Sequence, residues 1–327
     1  MIKKITACFI FMLLLSGKIY ADSAEKQTCC YYDISDNPSA PLSPERINII
    51  SEQLRNSDAS IIVIAGLRGQ PMLDSIVNKL DGFIFSKLIE TGANATQIAM
   101  IAKFKPEKFE ALTDLTYNIK KGTPLPVQRG FLHAIFNFNG YILHVFGANL
   151  KDRIRNPLYN QYDMRRYEAR ILRKLITAVI KKEKKEPANI ILLAGINDTC
   201  GKAPVKDIYN RRFGIAKRLF DLRPVDSLNV SWTALDESRD EYERVDYIII
   251  SSGIIPEIVI NETMIIENPK WRKASLHRPV MTTFIPVNKP IWSDEKINAE
   301  FPHTIRSAHF NIGQKRKRGS AVTNPQE

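Results

Sequence analysis

Beyond its first twenty residues the sequence lacks any apolar run approaching membrane-spanning length, which excludes a mature chain crossing a bilayer by helices. It has no Cys-x-x-Cys pair and no grouping of cysteine with histidine, and its five histidines are scattered, so no zinc site is suggested. There is no Gly-x-Ser-x-Gly elbow, and Cys200 has no evident histidine partner, which leaves little support for a serine or cysteine hydrolase. The glycine-flanked stretch GLRGQP (66–71) does not match a P-loop and receives no nucleotide role. No internal repeat is obvious.

What is present is ordinary globular composition. The chain has 327 residues, 44% hydrophobic and 25% charged, enough for one large domain or two small ones. Its opening, MIKKITACFIFMLLLSGKIYADSA, has a positive start at Lys3 and Lys4, an apolar stretch from Ile5 to Leu15, and small residues around Ala21. That pattern predicts a signal peptide over 1–21, and hence a secreted or periplasmic protein. Its removal takes away Lys3, Lys4 and Lys18 and no acid, so the formal charge falls from +12 to +9. A basic balance suits nucleic acid, phosphorylated metabolites or anionic lipid surfaces, and equally a solvated surface. Of the cysteines, Cys29, Cys30 and Cys200 remain. An oxidising compartment permits one disulfide, Cys29 or Cys30 with Cys200, with one thiol left over.

Strand-like runs alternate with helical patterns. ASIIVIAGLRG (59–69) and NIILLAGI (189–196) read as strands buried on both faces. CCYYDIS (29–35), QIAMIAKF (97–104), RVDYIIISSGI (244–254) and RPVMTTFIPV (278–287) read as further strands. FLHAIFNFNGYILHVFGANL (131–150) contains the Asn-Gly signal of a tight hairpin. The segment 43–58 predicts a helix capped by Ser43 with Pro44 at its first position, and 161–186 is the clearest helix, stopped by Pro187. These runs imply one domain over 27–287 and a polar basic tail over 288–327, whose Lys/Arg cluster at 315–318 reads as a solvated end.

Three segments in order carry a resemblance: ANIILLAGINDT, WTALDESRDEYERVDYIIIS and ASLHRPVMTTF. Two more fit the same order, GYILHVFGANLKDR and RRYEARILRKLI. Together they resemble the endonuclease/exonuclease/phosphatase superfamily, the metal-dependent phosphoesterases of the DNase I type. There the corresponding segments read approximately Gly-Asp-Phe-Asn-Asp, Arg-Ile-Asp-Tyr-Ile, Ser-Asp-His-Arg-Pro-Val, His-Leu-Lys-Ser and a helix with Glu-Ala-x-x-Leu. The resemblance implies an α/β (α+β) fold, a two-sheet β-sandwich flanked by helices, with its site at one rim. It also implies a chemistry: carboxylates hold Mg²⁺ or Mn²⁺ on a phosphoryl oxygen, an Asp-oriented His faces the attacking water, and an Asp/Asn turn positions the nucleophile.

Position by position, His277 stands at the family's catalytic His and Asp246 at the Asp that orients it. Asn197 matches the Asn of the turn and Asp198 the Asp after it. Asp33 takes the place of the first-strand Asn and is the one acid left to contribute to a metal. The metal glutamate is replaced by Gly66, the turn aspartate by Gly195, the Asp before the His by Leu276, and the His of His-Leu-Lys by Asn149. One carboxylate is a poor Mg²⁺ site, and losing a base or a transition-state donor costs ~100-fold or more each. The acidic spacer 236–241 reads as a solvent-facing loop rather than a replacement.

The expectation is therefore an exported, catalytically impaired protein of this fold that binds a phosphorylated small molecule, a nucleic acid or a partner. No cofactor is expected. The rim, stripped of acids, is expected to be positive through Arg68, Lys151, Arg153, Arg244 and Arg278. The alternative is an active, divergent phosphoesterase or nuclease using His277 with Asp246 and Mg²⁺ or Mn²⁺.

Overall fold

The computed structural model describes residues 24–35, 43–91, 96–119, 124–183, 187–209 and 217–301. The expected signal peptide and the cluster at 315–318 lie outside the described residues. In chain order the first elements are β1 (Gln27–Asp33), α1 (Pro44–Asn56), β2 (Ile61–Leu67), α2 (Gln70–Val77), β3 (Phe85–Ile89) and β4 (Gln97–Ala102). Then come β5 (Lys108–Leu112), β6 (Thr116–Tyr117), β7 (Leu125–Pro126), β8 (Phe131–Phe138), β9 (Tyr141–Asn149), α3 (Gln161–Lys182) and β10 (Asn189–Gly195). The remainder are α4 (Ala203–Tyr209), β11 (Leu219–Asp221), β12 (Ala234–Asp236), β13 (Glu241–Glu243), β14 (Asp246–Ser251), β15 (Ile258–Ile265), α5 (Trp271–Ala274), β16 (Val280–Phe284) and α6 (Asp294–Glu300).

Two six-stranded mixed sheets face each other, ordered β15-β16-β1-β2-β4-β3 and β11-β14-β10-β9-β8-β5. Side-chain alternation explains why the central strands lack a polar face. In β2, Ile61, Val63 and Ala65 enter the core between the sheets, while Ile62 and Ile64 meet the helical layer of α1 and α2. In β10, Ile191 and Leu193 point inward and Ile190, Leu192 and Ala194 lie under α3 and α4. Each fully buried Ile or Leu is worth about 1.5–3 kcal/mol, so both faces of these strands favour apolar residues. Ser43 Oγ caps α1 by accepting from the Arg46 amide at 3.1 Å. The β8–β9 hairpin turns on Asn139 and Gly140, both at positive φ, as the Asn-Gly signal requires.

Two expectations are corrected. The fold does not end at 287: α6 follows, and Ile297 and Phe301 are buried in the inter-sheet core, Phe301 5.4 Å from the Phe220 ring. A seven-residue helix with two anchors among polar neighbours has too little periodicity to be read beforehand. No disulfide forms among the described residues: Cys29, Cys30 and Cys200 are free thiols. Cys29 and Cys30 are buried on opposite faces of β1, whereas Cys200 is exposed in the turn after β10, a strand of the other sheet.

Candidate functional site

Strand register brings the motif residues together. β1 and β2 run parallel with Asp33 opposite Ala65, and β16 runs antiparallel to β1, so the chain just before β16 lies beside the end of β1. In the second sheet Gly195 pairs with Asn149 on one side and Asp246 on the other. A bridge between Ala234 and His277 and a hydrogen bond from the Leu235 amide to the Leu276 carbonyl (2.9 Å) fix the His277 loop against β12. The outcome is a cleft of about 480 Å³ at one rim, lined by Asp33, Asn149, Lys151, Asp152, Asn197 and His277 among others.

His277 Nδ1 and Asp246 Oδ2 are 2.8 Å apart. Asp246 is buried, its backbone amide donates to Thr233 Oγ1 (3.0 Å), and its Oδ1 has no hydrogen-bond partner. Burial works against a charge on His277, but Asp246 and then Asp33 outweigh it and raise the imidazole to about 9. At neutral pH it is an imidazolium, with Nε2 a donor. Burial pushes the Asp246 carboxyl up, opposed by His277.

Asp33 Oδ1 accepts from the Ser35 amide and Oδ2 from Asn149 Nδ2, each at 2.7 Å. Asn149 Oδ1 in turn accepts from Asn197 Nδ2 at 2.9 Å, and the same amide group donates to the Leu150 carbonyl at 2.7 Å. Asn197 has φ 57°, a left-handed conformation that Asn tolerates and that turns its side chain back over β9. Asp33, Asn149 and Asn197 thus form one hydrogen-bonded chain beside the His277–Asp246 pair.

Asp198 is not part of it. It is buried beneath the turn, accepting from Arg165 Nε at 3.0 Å. The expected positive rim is also corrected. Arg244 forms two bonds to Asp221 (2.9 and 2.6 Å), Arg278 pairs with Asp226 (2.9 Å) with its guanidinium 3.3 Å from the centre of the Trp232 ring, and Arg153 pairs with Glu243. Of the five cations named from the sequence, Lys151 alone lines the cleft, and it is ion-paired with Asp152. Within the spacer 236–241 no acid lines the cleft; Asp236 and Glu241 hold Arg239, and Glu237 holds Arg272.

Sequence reasoning missed Arg129, Asp152 and Tyr31. Buried Arg129 donates to Asp152 Oδ2 at 2.8 Å and to the Leu150 carbonyl at 3.1 Å. The Lys-Asp after Asn149 was the available signal for Asp152; nothing local marks Arg129 or Tyr31.

The four positions that the sequence comparison reads as substituted divide into two kinds. Asn149 and Leu276 line the cleft with side chains of their own. Gly66 and Gly195 are closed to side chains. Gly66 has φ +87°, and a Cβ there would lie 2.1 Å from the Ser35 amide nitrogen and 2.6 Å from the Ile34 carbonyl carbon. A Cβ on Gly195 would lie 2.5 Å from the Tyr31 hydroxyl.

Asp33, Asp246 and His277 offer ligand atoms within 4.8 Å of one another. They do not fit a Mg²⁺ cage. Both Asp33 oxygens face N–H donors, the imidazole engages Asp246 Oδ2, and position 66 has no room for a carboxylate, so the buried Asp246 Oδ1 is the one carboxylate oxygen of this group left without a partner. Mg²⁺ demands near-octahedral oxygen ligation, normally with carboxylates free to face it.

No family model matches the chain, and no curated protein matches it. Solved structures do. Truncated TDP2 from Caenorhabditis elegans is similar with TM-score 0.57 at 11% identity, over 80% of this chain and 97% of that one. TDP2 from D. rerio, complexed with single strand DNA product, gives TM-score 0.56 at 14% identity, over 80% and 99%. An endonuclease/exonuclease/phosphatase from Bacteroides vulgatus gives TM-score 0.53 at 15% identity, over 79% and 98%. The chain has the DNase I-like fold of the endonuclease/exonuclease/phosphatase superfamily.

Proposed function

We propose that this chain is an exported, catalytically impaired member of that superfamily which binds a phosphorylated ligand or partner in the cleft. The observation carrying this reading is the closure of position 66, where the backbone of 34–35 occupies the space a metal-binding glutamate needs. In the proposed arrangement the phosphate lies against His277 Nε2–H, with Lys151, held by Asp152, beside it. The hydrogen-bonded chain of Asp33, Asn149 and Asn197 fixes the floor. Without a metal-activated water the cleft holds the ester without cutting it. Export rests on Lys3, Lys4 and the apolar stretch Ile5–Leu15. The basic charge and the DNA product held by the D. rerio protein make a nucleic-acid strand one ligand class to test, alongside a phosphorylated small molecule.

A second reading, an active divergent phosphoesterase, is favoured by the convergence of Asp33, Asp246 and His277. One experiment separates the two. Purified mature protein is incubated with Mg²⁺ or Mn²⁺ and DNA, RNA or a generic phosphodiester. All substrates should stay intact. Turnover abolished by EDTA and by His277→Ala would overturn the first reading and establish the second.

A further inference from the structure

Glu168 approaches the cleft from behind. It lies on α3, 1% exposed, in the Glu-Ala segment of the helix. One carboxylate oxygen accepts from the Lys151 amide at 2.6 Å and the other from the Gln128 amide at 3.3 Å. Gln128 leads into Arg129 and Lys151 into Asp152, so a single carboxylate spans the two segments whose side chains form the Arg129–Asp152 ion pair. Gln128, Arg129, Lys151 and Asp152 all line the cleft; Glu168 does not. It therefore has no route to proton transfer with a ligand, and its influence runs through the backbone it holds.

We propose that Glu168 is a positioning residue that regulates this cleft: its carboxylate keeps the Gln128–Arg129 and Lys151–Asp152 segments in register, and its protonation releases them and weakens the hold on a phosphate group. The second half of that statement rests on the phosphate-binding reading above; the first half does not. An ionised carboxylate accepts from two N–H groups at once, whereas a neutral acid points its own O–H at one of them and loses that bond. The charged and titratable groups facing Glu168 are Arg129, Lys151 and Tyr117, while Arg165 on the same helix is engaged by Asp198. Burial raises the Glu168 carboxyl to about 7 against the pull of both N–H bonds and both cations. The switch accordingly falls close to neutral pH.

The test follows the Lys151 and Gln128 backbone amides by ¹⁵N NMR in the full mature protein between pH 5 and 9, with and without inorganic phosphate. The two amides should titrate together with a midpoint near 7, and the titration should vanish in Glu168→Gln. Phosphate changes its own charge near pH 7 in wild type and variant alike, so the expected signature is a loss of affinity below the midpoint about tenfold larger in the wild type than in Glu168→Gln, and about tenfold weaker binding by Glu168→Gln at pH 8. Amides of the wild type that stay flat across the range would overturn the positioning role without recourse to any variant. Titrating amides with no phosphate bound at any pH would leave Glu168 holding the segments and overturn the phosphate reading. An identical pH dependence of phosphate affinity in the wild type and in Glu168→Gln would overturn the regulation alone.

Discussion

The Tyr31 hydroxyl stands where a side chain on Gly195 would begin: a Cβ built on that glycine would lie 2.5 Å from it, and 3.1 Å from Asn149 Oδ1. A tyrosine from one sheet has filled the space beside a glycine of the other. The glycine at 195 is therefore built into the packing of the core, because Tyr31 is fully buried.

On the proposed reading, placing acids at 66 and 195 should not create a cation site. Gly195→Asp must displace the Tyr31 ring and should destabilise the protein by about 1–3 kcal/mol. Gly66→Glu should cost more, because its Cβ meets backbone atoms and its φ is +87°. Thermal melts with and without Mg²⁺ read both effects. A Mg²⁺-dependent rise in Tm for either variant would show that the space can be reopened.

The imidazole of His277, raised to about 9 by Asp246 and Asp33 against the effect of burial, should show in pH dependence. Because the folded pKa lies above the ordinary value near 6.5, the ion pair's contribution to stability is full below that value and is lost as pH rises through about 9. Anion binding should fall over the same upper interval. Asp246→Asn should bring the His277 titration, followed by its ring-proton NMR signal, down towards 6.5. An unchanged midpoint would mean that Asp246 does not hold the proton.

Asp152 neutralises Arg129 and Lys151, the two longer cations in the cleft. Asp152→Asn should free them, raising affinity for inorganic phosphate a few-fold and steepening its salt dependence. The partial exposure of Asp152 limits the gain to about 1 kcal/mol. Isothermal titration at two ionic strengths measures it, and lower affinity in the variant would show that Asp152 serves to hold those cations in place.

Far from the cleft, His133 and His144 lie buried and hydrogen-bonded to each other at 3.0 Å, with His133 also 2.9 Å from Glu110. Burial, then the charges of His133 and Lys182, lower His144 to about 4. The unfolded state therefore takes up the proton first, and stability should fall as pH drops from 6.5 towards 4, by on the order of 2 kcal/mol. Chemical denaturation across that interval should show a shallower slope for His144→Phe, and an equal slope would assign the acid sensitivity to other groups.

Much of the scaffold was legible because covered strands advertise themselves. ASIIVI, NIILLAG and YIIIS can be nothing but buried, and Ser43-Pro44 and Asn139-Gly140 mark a cap and a turn by local chemistry. The edge strands β3, β5, β11 and β15 and the helices α2, α4, α5 and α6 were not legible. The edge strands are short or carry polar residues in mid-run, and these helices are one or two turns long, so none repeats a period often enough to be read.

At the site, the order of motifs along the sequence was enough to pair His277 with Asp246, since a linear motif keeps its order whatever the fold does with it. Tertiary structure alone decided that Asp198 turns away to Arg165, that Arg244, Arg278, Arg153 and Lys151 are paired with Asp221, Asp226, Glu243 and Asp152, and that Tyr31 and the 34–35 backbone crowd Gly195 and Gly66. The reason is physical. A side chain's charge and hydrogen-bonding capacity are written in its residue type, but whether they face a ligand or are consumed by a neighbour depends on residues up to two hundred and more positions away, brought within a few ångströms only when both sheets close.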